Sequence, residues 1–259
     1  TQSTSRRQRQ MCIRDRHLAL LGRIHSPGDI ERSFSSARDG GFTNINLDLM
    51  YGLPQQSVEQ AIADLQQAIA LAPEHVSWYQ LTLEPKTEFH ARPPALPDED
   101  TLAQIEAKGH QLLARAGYQR YEVSAYARDE KYARHNLNYW SFGDYLGVGA
   151  GAHGKLTREG QILRTEKPKQ PRLYLDDPEA LNSQPVATEQ TAEEFMLNAL
   201  RLIEGVSFER LSQTTSLTLE DLQPRWQQLV ERDLVRSDRI AATSRGYRYL
   251  DSIIAEFLS

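Results

Sequence analysis

Among the 259 residues there is a single cysteine, Cys12. That excludes an internal disulfide framework, and it excludes any all-cysteine metal or iron–sulfur site built by this chain alone, because such sites need three or four thiolates. Long apolar runs are missing as well. No stretch approaches the roughly 18 to 20 uninterrupted apolar residues of a membrane helix, and no apolar signal-peptide core follows the basic residues near the start. The chain therefore reads as cytosolic. Positive charge is not in excess: a net charge of −5 gives no bulk attraction to nucleic acid or to an anionic membrane. The GxSxG, HExxH, P-loop and EF-hand patterns are absent, which removes the commonest hydrolase, metalloprotease and NTPase readings. What is present is ordinary for a globular protein of one large or two medium domains, with 39% hydrophobic and 25% charged residues.

Residues 1–16, TQSTSRRQRQMCIRDR, are polar and heavily basic with no sustained apolar period. A disordered tail and a nucleic-acid arm are two readings. A third is preferred: RRQRQMCIRDR resembles translated sequencing-adapter sequence, so the segment is expected to be non-native and Cys12 to carry no function.

From His17 the pattern is regular. Ser26 and Pro27 form a cap and first-turn pair, opening a helix that stops at Gly40 and Gly41. Residues 43–49 read as a strand ending in the turn Tyr51, Gly52, Leu53, Pro54. Ser57 and Gln60 form a capping-box signal for a helix carrying Val58, Ile62, Leu65 and Ile69. A strand at 76–83, a proline-rich loop at 84–97, a helix at 98–116 closed by Gly117 and a strand at 118–124 follow. This alternation predicts a parallel sheet with right-handed crossovers and both faces covered, its binding groups in loops beyond the C-terminal strand ends. Asp48, placed at such a strand end, is the best acidic candidate for holding a ligand hydroxyl or amine, and a turn cap is the alternative. After Lys155 a hairpin turns at Gly160, residues 168–185 read as a proline-punctuated linker, and a helix covers 189–203. A helix at 219–232, a strand-turn-strand at 235–241 and a last helix at 244–258 suggest a small winged-helix-like domain. From residue 189 onward eight arginines and no lysine face twelve acidic residues, the wrong sign for a phosphate-binding surface, so no nucleic-acid partner is expected.

HNLNYW, residues 135–140, concentrates an imidazole and two large rings beside the glycines 147, 149, 151 and 154. Whether helical or extended, the segment places His135 and Tyr139 on one side. A neutral imidazole is a common haem ligand and the rings suit a flat conjugated molecule, but a satisfied structural histidine remains open. The glycines contain a formal GxGxxG. It precedes a hairpin instead of opening a helix, which favours a loop of close backbone approach over a dinucleotide fingerprint.

Five stretches in order carry a family resemblance: NINLDLMYGLPQQS (44–57), SWYQLTLEP (77–85), YEVSAYA (121–127), HNLNYW (135–140) and DYLGVGAGAHGK (144–155). They resemble the HemW family of haem chaperones, radical-SAM proteins related to the oxygen-independent coproporphyrinogen III oxidases. The resemblance implies an α/β fold. Residues 17–155 would be the C-terminal half of a partial (β/α)6 radical-SAM barrel, 156–188 a hairpin and linker, and 189–259 the family's small, mostly helical C-terminal domain. In the family the first barrel half carries a CxxxCxxC-type motif whose cysteines hold a [4Fe–4S] cluster that binds S-adenosylmethionine. Nothing in this sequence substitutes for it, so the chain is expected to be an N-terminally truncated fragment. The resemblance also implies residue roles. Arg23, Asp48, Thr82 and His153 match positions that contact S-adenosylmethionine in the related oxidases. A carboxylate at Asp48 suits a ribose or amino group; Thr82 and His153 replace other residues, so backbone contacts are expected there. A glutamine expected near Met11 is absent. HNLNYW resembles the HNxxYW motif associated with haem, making His135 the candidate iron ligand with Asn136, Tyr139 and Trp140 around it.

The function implied is haem binding and delivery to recipient haemoproteins. The rival is the anaerobic oxidative decarboxylation of coproporphyrinogen III. Without the cluster cysteines the chain is not expected to catalyse it alone, and no residue is assigned a catalytic role. A third reading is a half barrel that does not fold by itself, since its strand edge lacks a partner. A homodimer and peripheral membrane contact are left open.

Overall fold

The computed structural model describes residues 27–85 and 87–258. The expectations for residues 1–16, Cys12, Arg23 and the Ser26 cap lie outside the described residues. Two compact units divide between Tyr132 and Ala133, so HNLNYW, grouped above with the barrel half, belongs to the second.

The first unit opens with α1 (Pro27–Asp39), which has Asp29 in its first turn and Arg38 in its last, signs that complement the helix dipole. It ends at Gly40 and at Gly41, whose φ of 84° is a left-handed terminator. β1 (Asn46–Tyr51) alternates half-buried and buried residues. Leu47, Leu49 and Tyr51 face the helices, and Asn46, Asp48 and Met50 face the other way. Asp48 is therefore in the middle of the strand and not at its end as expected; pairing carries the strand through Tyr51. α2 (Val58–Ala70) starts at the expected capping box, with both reciprocal Ser57 and Gln60 bonds formed. β2 (His75–Gln80) pairs with β1 in parallel, matching Asn46 to His75 and Asp48 to Ser77. A short α3 (Glu88–Ala91) interrupts the proline-rich loop, and α4 (Glu99–Arg115) begins at Asp98, which accepts from Thr101 N at 2.7 Å.

Gly109 sits inside α4, where glycine costs roughly 1 kcal/mol relative to alanine. Its reason is tertiary: a Cβ there would stand 1.8 Å from the Trp78 ring, which lies 4.3 Å from the ring of Tyr51. Gly109→Ala is accordingly expected to destabilise by about 1–3 kcal/mol through overpacking, against its helical propensity. Urea unfolding decides the sign, and a raised midpoint would reject this account of the glycine.

The third strand departs from expectation. β3 (Gln119–Glu122) turns at once into β4 (Ala125–Ala127), and β4 lies between β2 and β3, antiparallel to both. β3 thus keeps the direction a crossover through α4 would give it, yet a return strand takes the place beside β2. The hairpin is held by Glu122, whose carboxylate accepts from Ser124 N at 3.1 Å. The core of this unit, including Leu65, Val76, Ile105 and Leu113, lies between the sheet and its helices.

The second unit begins with α5 (Arg134–Trp140), followed by β5 (His153–Arg158) and β6 (Gln161–Glu166). These strands form the expected hairpin, and positive φ at both Glu159 and Gly160 matches a tight primed turn. The expected linker is structured: it contains α6 (Pro171–Asp176) and β7 (Asn182–Pro185), and β7 pairs with β6 to complete a three-stranded antiparallel sheet. Prolines are tolerated because α6 takes one in its first turn and β7 is an edge strand. α7 (Thr188–Ala199), α8 (Phe208–Thr215), α9 (Arg225–Glu231) and α10 (Leu250–Ala255) surround a core of Phe142, Phe195, Leu211, Trp226, Ile253 and Phe257. The predicted wing is reduced to isolated bridges, Val206 with Ile240 and Val235 with Ala242, and the last helix begins as a 3-10 turn at Gly246–Tyr249.

Candidate functional site

α5 has two faces. Leu137 and Trp140, three residues apart, pack against the second unit's core. His135 and Tyr139, four apart, are exposed on the other side. The helix is therefore anchored by its apolar face while it presents an imidazole and a phenol. Trp140 is sandwiched further by the Arg201 guanidinium, 4.4 Å from the ring centroid, and its buried Nε1 has no hydrogen-bond partner. Asn136 is half-buried, and Asn138 ties the helix to the next loop by donating to Asp144 O at 2.9 Å.

The loop after α5 is organised by Lys155, which ordinary sequence patterns did not single out. Its side chain is 2% exposed. Nζ donates to Phe142 O at 3.0 Å and to Thr157 Oγ1 at 3.3 Å, lies 2.9 Å from Asp144 Oδ1, and stands over the Phe142 ring. Burial lowers the lysine pKa, opposed by the bond and charge of Asp144. For Asp144, desolvation acts upward but is outweighed by hydrogen bonds from Lys155 and Thr157, so its pKa falls below the ordinary 3.8. A depressed carboxylate stabilises the fold fully above pH 3.8 and loses that contribution as the pH falls through its native value. Asp144→Asn should therefore flatten the acid limb of the stability–pH profile, measured by thermal unfolding between pH 5 and pH 2 (roughly the carboxylate range); an unchanged limb would remove Asp144 from it.

Tyr145 packs against Tyr139 with centroids 4.3 Å apart and the rings tilted by 53°, and its hydroxyl accepts from Arg164 Nη1 at 3.1 Å. Arg164 is itself paired with Glu194. Leu146 and Val148 follow Tyr145 in the chain at 76% and 82% exposure, so this loop presents apolar side chains to solvent. The glycines of this loop divide into two kinds. A Cβ at Gly147 would lie 2.5 Å from His153 O and one at Gly154 would lie 2.4 Å from Thr165 Oγ1, so these two allow close packing. Gly149 and Gly151 have φ of 111° and 69° and turn the chain. The run enters a strand, which bears out the loop reading over a dinucleotide fingerprint.

His153 opens β5 opposite Glu166, with Nε2 3.8 Å from Oε1, and its side chain is two-thirds exposed. In the first unit Asp48 is half-buried and accepts from Asn46 Nδ2 at 2.6 Å. Thr82 is exposed beyond the end of β2 and donates to Glu84 Oε1 at 2.8 Å. Asp48 is level with Ser77, five positions before Thr82, so the strand register does not bring those two together. Among the described residues no group of three His, Cys, Asp or Glu side chains could hold a metal ion, and no helix is long and apolar enough to cross a membrane.

Residues 186–249 match the family model of the HemN C-terminal domain. The chain is 44% identical to the heme chaperone HemW of Escherichia coli over 245 residues, covering 93% of this chain and 65% of that protein. It is 42% identical to HemW of Haemophilus influenzae, covering 95% of this chain and 65% of the relative, and 32% identical to HemW of Bacillus subtilis, covering 93% and 66%. It thus spans a little under two thirds of the length of these curated relatives. In structure it resembles coproporphyrinogen III oxidase (HemN) from Escherichia coli, a radical SAM enzyme, with a TM-score of 0.74 over 96% of this chain and 62% of the other at 19% identity, a likeness of fold. Over most of its own length the chain is thus similar to HemW heme chaperones, with a HemN-type C-terminal domain and a fold like that of HemN.

Proposed function

We propose that this chain is the haem-handling part of a cytosolic haem chaperone, binding haem through α5 and passing it to recipient haemoproteins. The observation that carries the reading is the division of α5, with Leu137 and Trp140 half-buried against the core and His135 and Tyr139 exposed on the opposite side. This donor set fits haem: an accessible imidazole for iron, a phenol beside it, and the apolar Leu146 and Val148 along the loop that Tyr145 joins to Tyr139. Trp140, packed on the core and against Arg201, orients the helix, and Asn136 lies half-buried beside His135. A carrier must release its cargo, and an open helix face suits release better than an enclosed pocket would.

Asp48, Thr82 and His153 are the proposed S-adenosylmethionine contacts, Asp48 through its carboxylate and the other two through backbone. The donor set does not fit a [4Fe–4S] cluster, because the sequence has a single cysteine and no group of three or more His, Cys, Asp or Glu side chains that could hold a metal exists among the described residues. No chemical step is assigned to either group here. The oxidase reading has beside it only a likeness of fold at 19% identity, whereas the HemW relatives are 32–44% identical to this chain. Haemin titration followed at the Soret band tests the proposal. Saturation at one haem per chain is expected, and a spectrum that remains that of free haemin would reject it.

A further inference from the structure

On the sheet face turned away from the helices, the first unit carries a polar network behind Asp48. Asn46 Nδ2 donates to Asp48 Oδ1 at 2.6 Å. Asn46 Oδ1 lies 2.6 Å from His75 Nδ1 and accepts from the Ser77 hydroxyl at 3.2 Å. His75 Nε2 is 2.8 Å from the Tyr121 hydroxyl. The parallel register creates the first part of this arrangement by setting Asn46 against His75 and Asp48 against Ser77. His75 is 3% exposed and meets the Tyr121 ring edge-on.

The network has one consistent direction. A carboxylate only accepts, so the amide nitrogen of Asn46 must face Asp48 and the amide oxygen must face His75. The reverse orientation would set two oxygens against each other at 2.6 Å. His75 Nδ1 therefore carries a proton, and in that tautomer of the ring Nε2 accepts from the Tyr121 hydroxyl. Donors run from Tyr121 through His75 and Asn46 to Asp48, an order in which each bond polarises the next.

We propose that Asn46, braced by His75 and Tyr121, is a positioning residue that fixes the Asp48 carboxylate. It occupies Oδ1 and leaves Oδ2 to face a single ligand donor, a hydroxyl or an amino group, and not the paired donors of a guanidinium. This rests on Asp48 being a ligand contact, as proposed above. Neither Asn46, His75 nor Tyr121 touches the ligand; they act through Asp48.

The test is nuclear magnetic resonance on the isotope-labelled chain, reading the His75 imidazole nitrogens and the Asp48 side-chain couplings. The Nδ1–H tautomer and one Asp48 rotamer are expected. Asn46→Leu should average the rotamer and release the tautomer preference, whereas Tyr121→Phe should retain the tautomer because Asn46 still selects it. If Asn46→Leu fails to fold, Asn46→Ser, too short to bridge His75 and Asp48, is read in the same way. An Nε2–H tautomer in the unaltered chain, or an Asp48 rotamer indifferent to the Asn46 substitution, overturns the proposal. In a parallel titration Asn46→Leu should weaken S-adenosylmethionine binding about 5-fold. If the unaltered chain takes up none, the ligand role of Asp48 fails, while tautomer and rotamer still decide the positioning role of Asn46.

Discussion

His135→Ala is expected to weaken haem binding by about 10- to 100-fold and to alter the Soret spectrum of whatever haem remains bound. The magnitude follows from what is lost. An imidazole–iron bond contributes at least as much as a hydrogen bond to a charged group, about 1.5–3 kcal/mol, and each 1.4 kcal/mol is tenfold in affinity. Leu137 and Trp140 hold the seven-residue helix against the core, so the helix is expected to persist in the variant. Far-ultraviolet circular dichroism checks that point. If the alanine variant takes up haem with the same affinity and the same spectrum as the unaltered chain, another group holds the iron and the site assignment is wrong. Tyr139 provides the contrast. A ring that only packs against the macrocycle should affect affinity without changing the ligand-dependent spectrum.

Lys155→Met should lower the stability of the second unit by about 2–4 kcal/mol. Methionine fills a similar volume but donates no hydrogen bond, so Phe142 O loses its donor inside the core and Asp144 loses its nearest cation. The carbonyl is the costlier loss, since a buried acceptor left unpaired costs about 1–3 kcal/mol, whereas Asp144 is 41% exposed and regains water. Denaturant unfolding of the two chains gives the difference directly. An effect below about 0.5 kcal/mol, the range of ordinary surface substitutions, would mean the buried ammonium is neutral to the fold. The consequence extends to α5, because Asp144 O also accepts from Asn138, and Tyr145 beside it packs against Tyr139. Loss of the lysine should therefore weaken haem binding as well, with His135 itself unaltered.

Local chemistry was legible in particular places. Ser57 and Gln60 announced a capping box that forms, Gly40 and Gly41 a helix stop that occurs, and Gly160 a hairpin turn that is made. Those signals act within four residues, where backbone geometry and side-chain reach leave little choice. The expectation of a wholly parallel sheet failed at residues 118–124. A four-residue strand followed by a two-residue reversal carries the same β-rich composition as one longer strand, and only pairing with β2 distinguishes them. The linker failed for a related reason. Asn182–Pro185 is exposed and polar, with no apolar alternation, and becomes a strand because β6 offers it a free edge.

The candidate site divides in the same way. Sequence by itself carried the resemblance to HemW, through the order of five motifs, and it determined that His135 and Tyr139 share a side, because four-residue helical spacing and two-residue strand spacing both require it. Tertiary structure decided which side is exposed, since that depends on the core that takes Leu137 and Trp140. It decided that Lys155 is buried and satisfied by groups eleven and thirteen residues upstream. It also decided that Asp48 lies in mid-strand with Asn46 and His75 behind it, 29 residues apart in sequence and 2.6 Å apart in space. Spacing along a chain records local direction; burial and long-range hydrogen bonding exist only after the strands have paired.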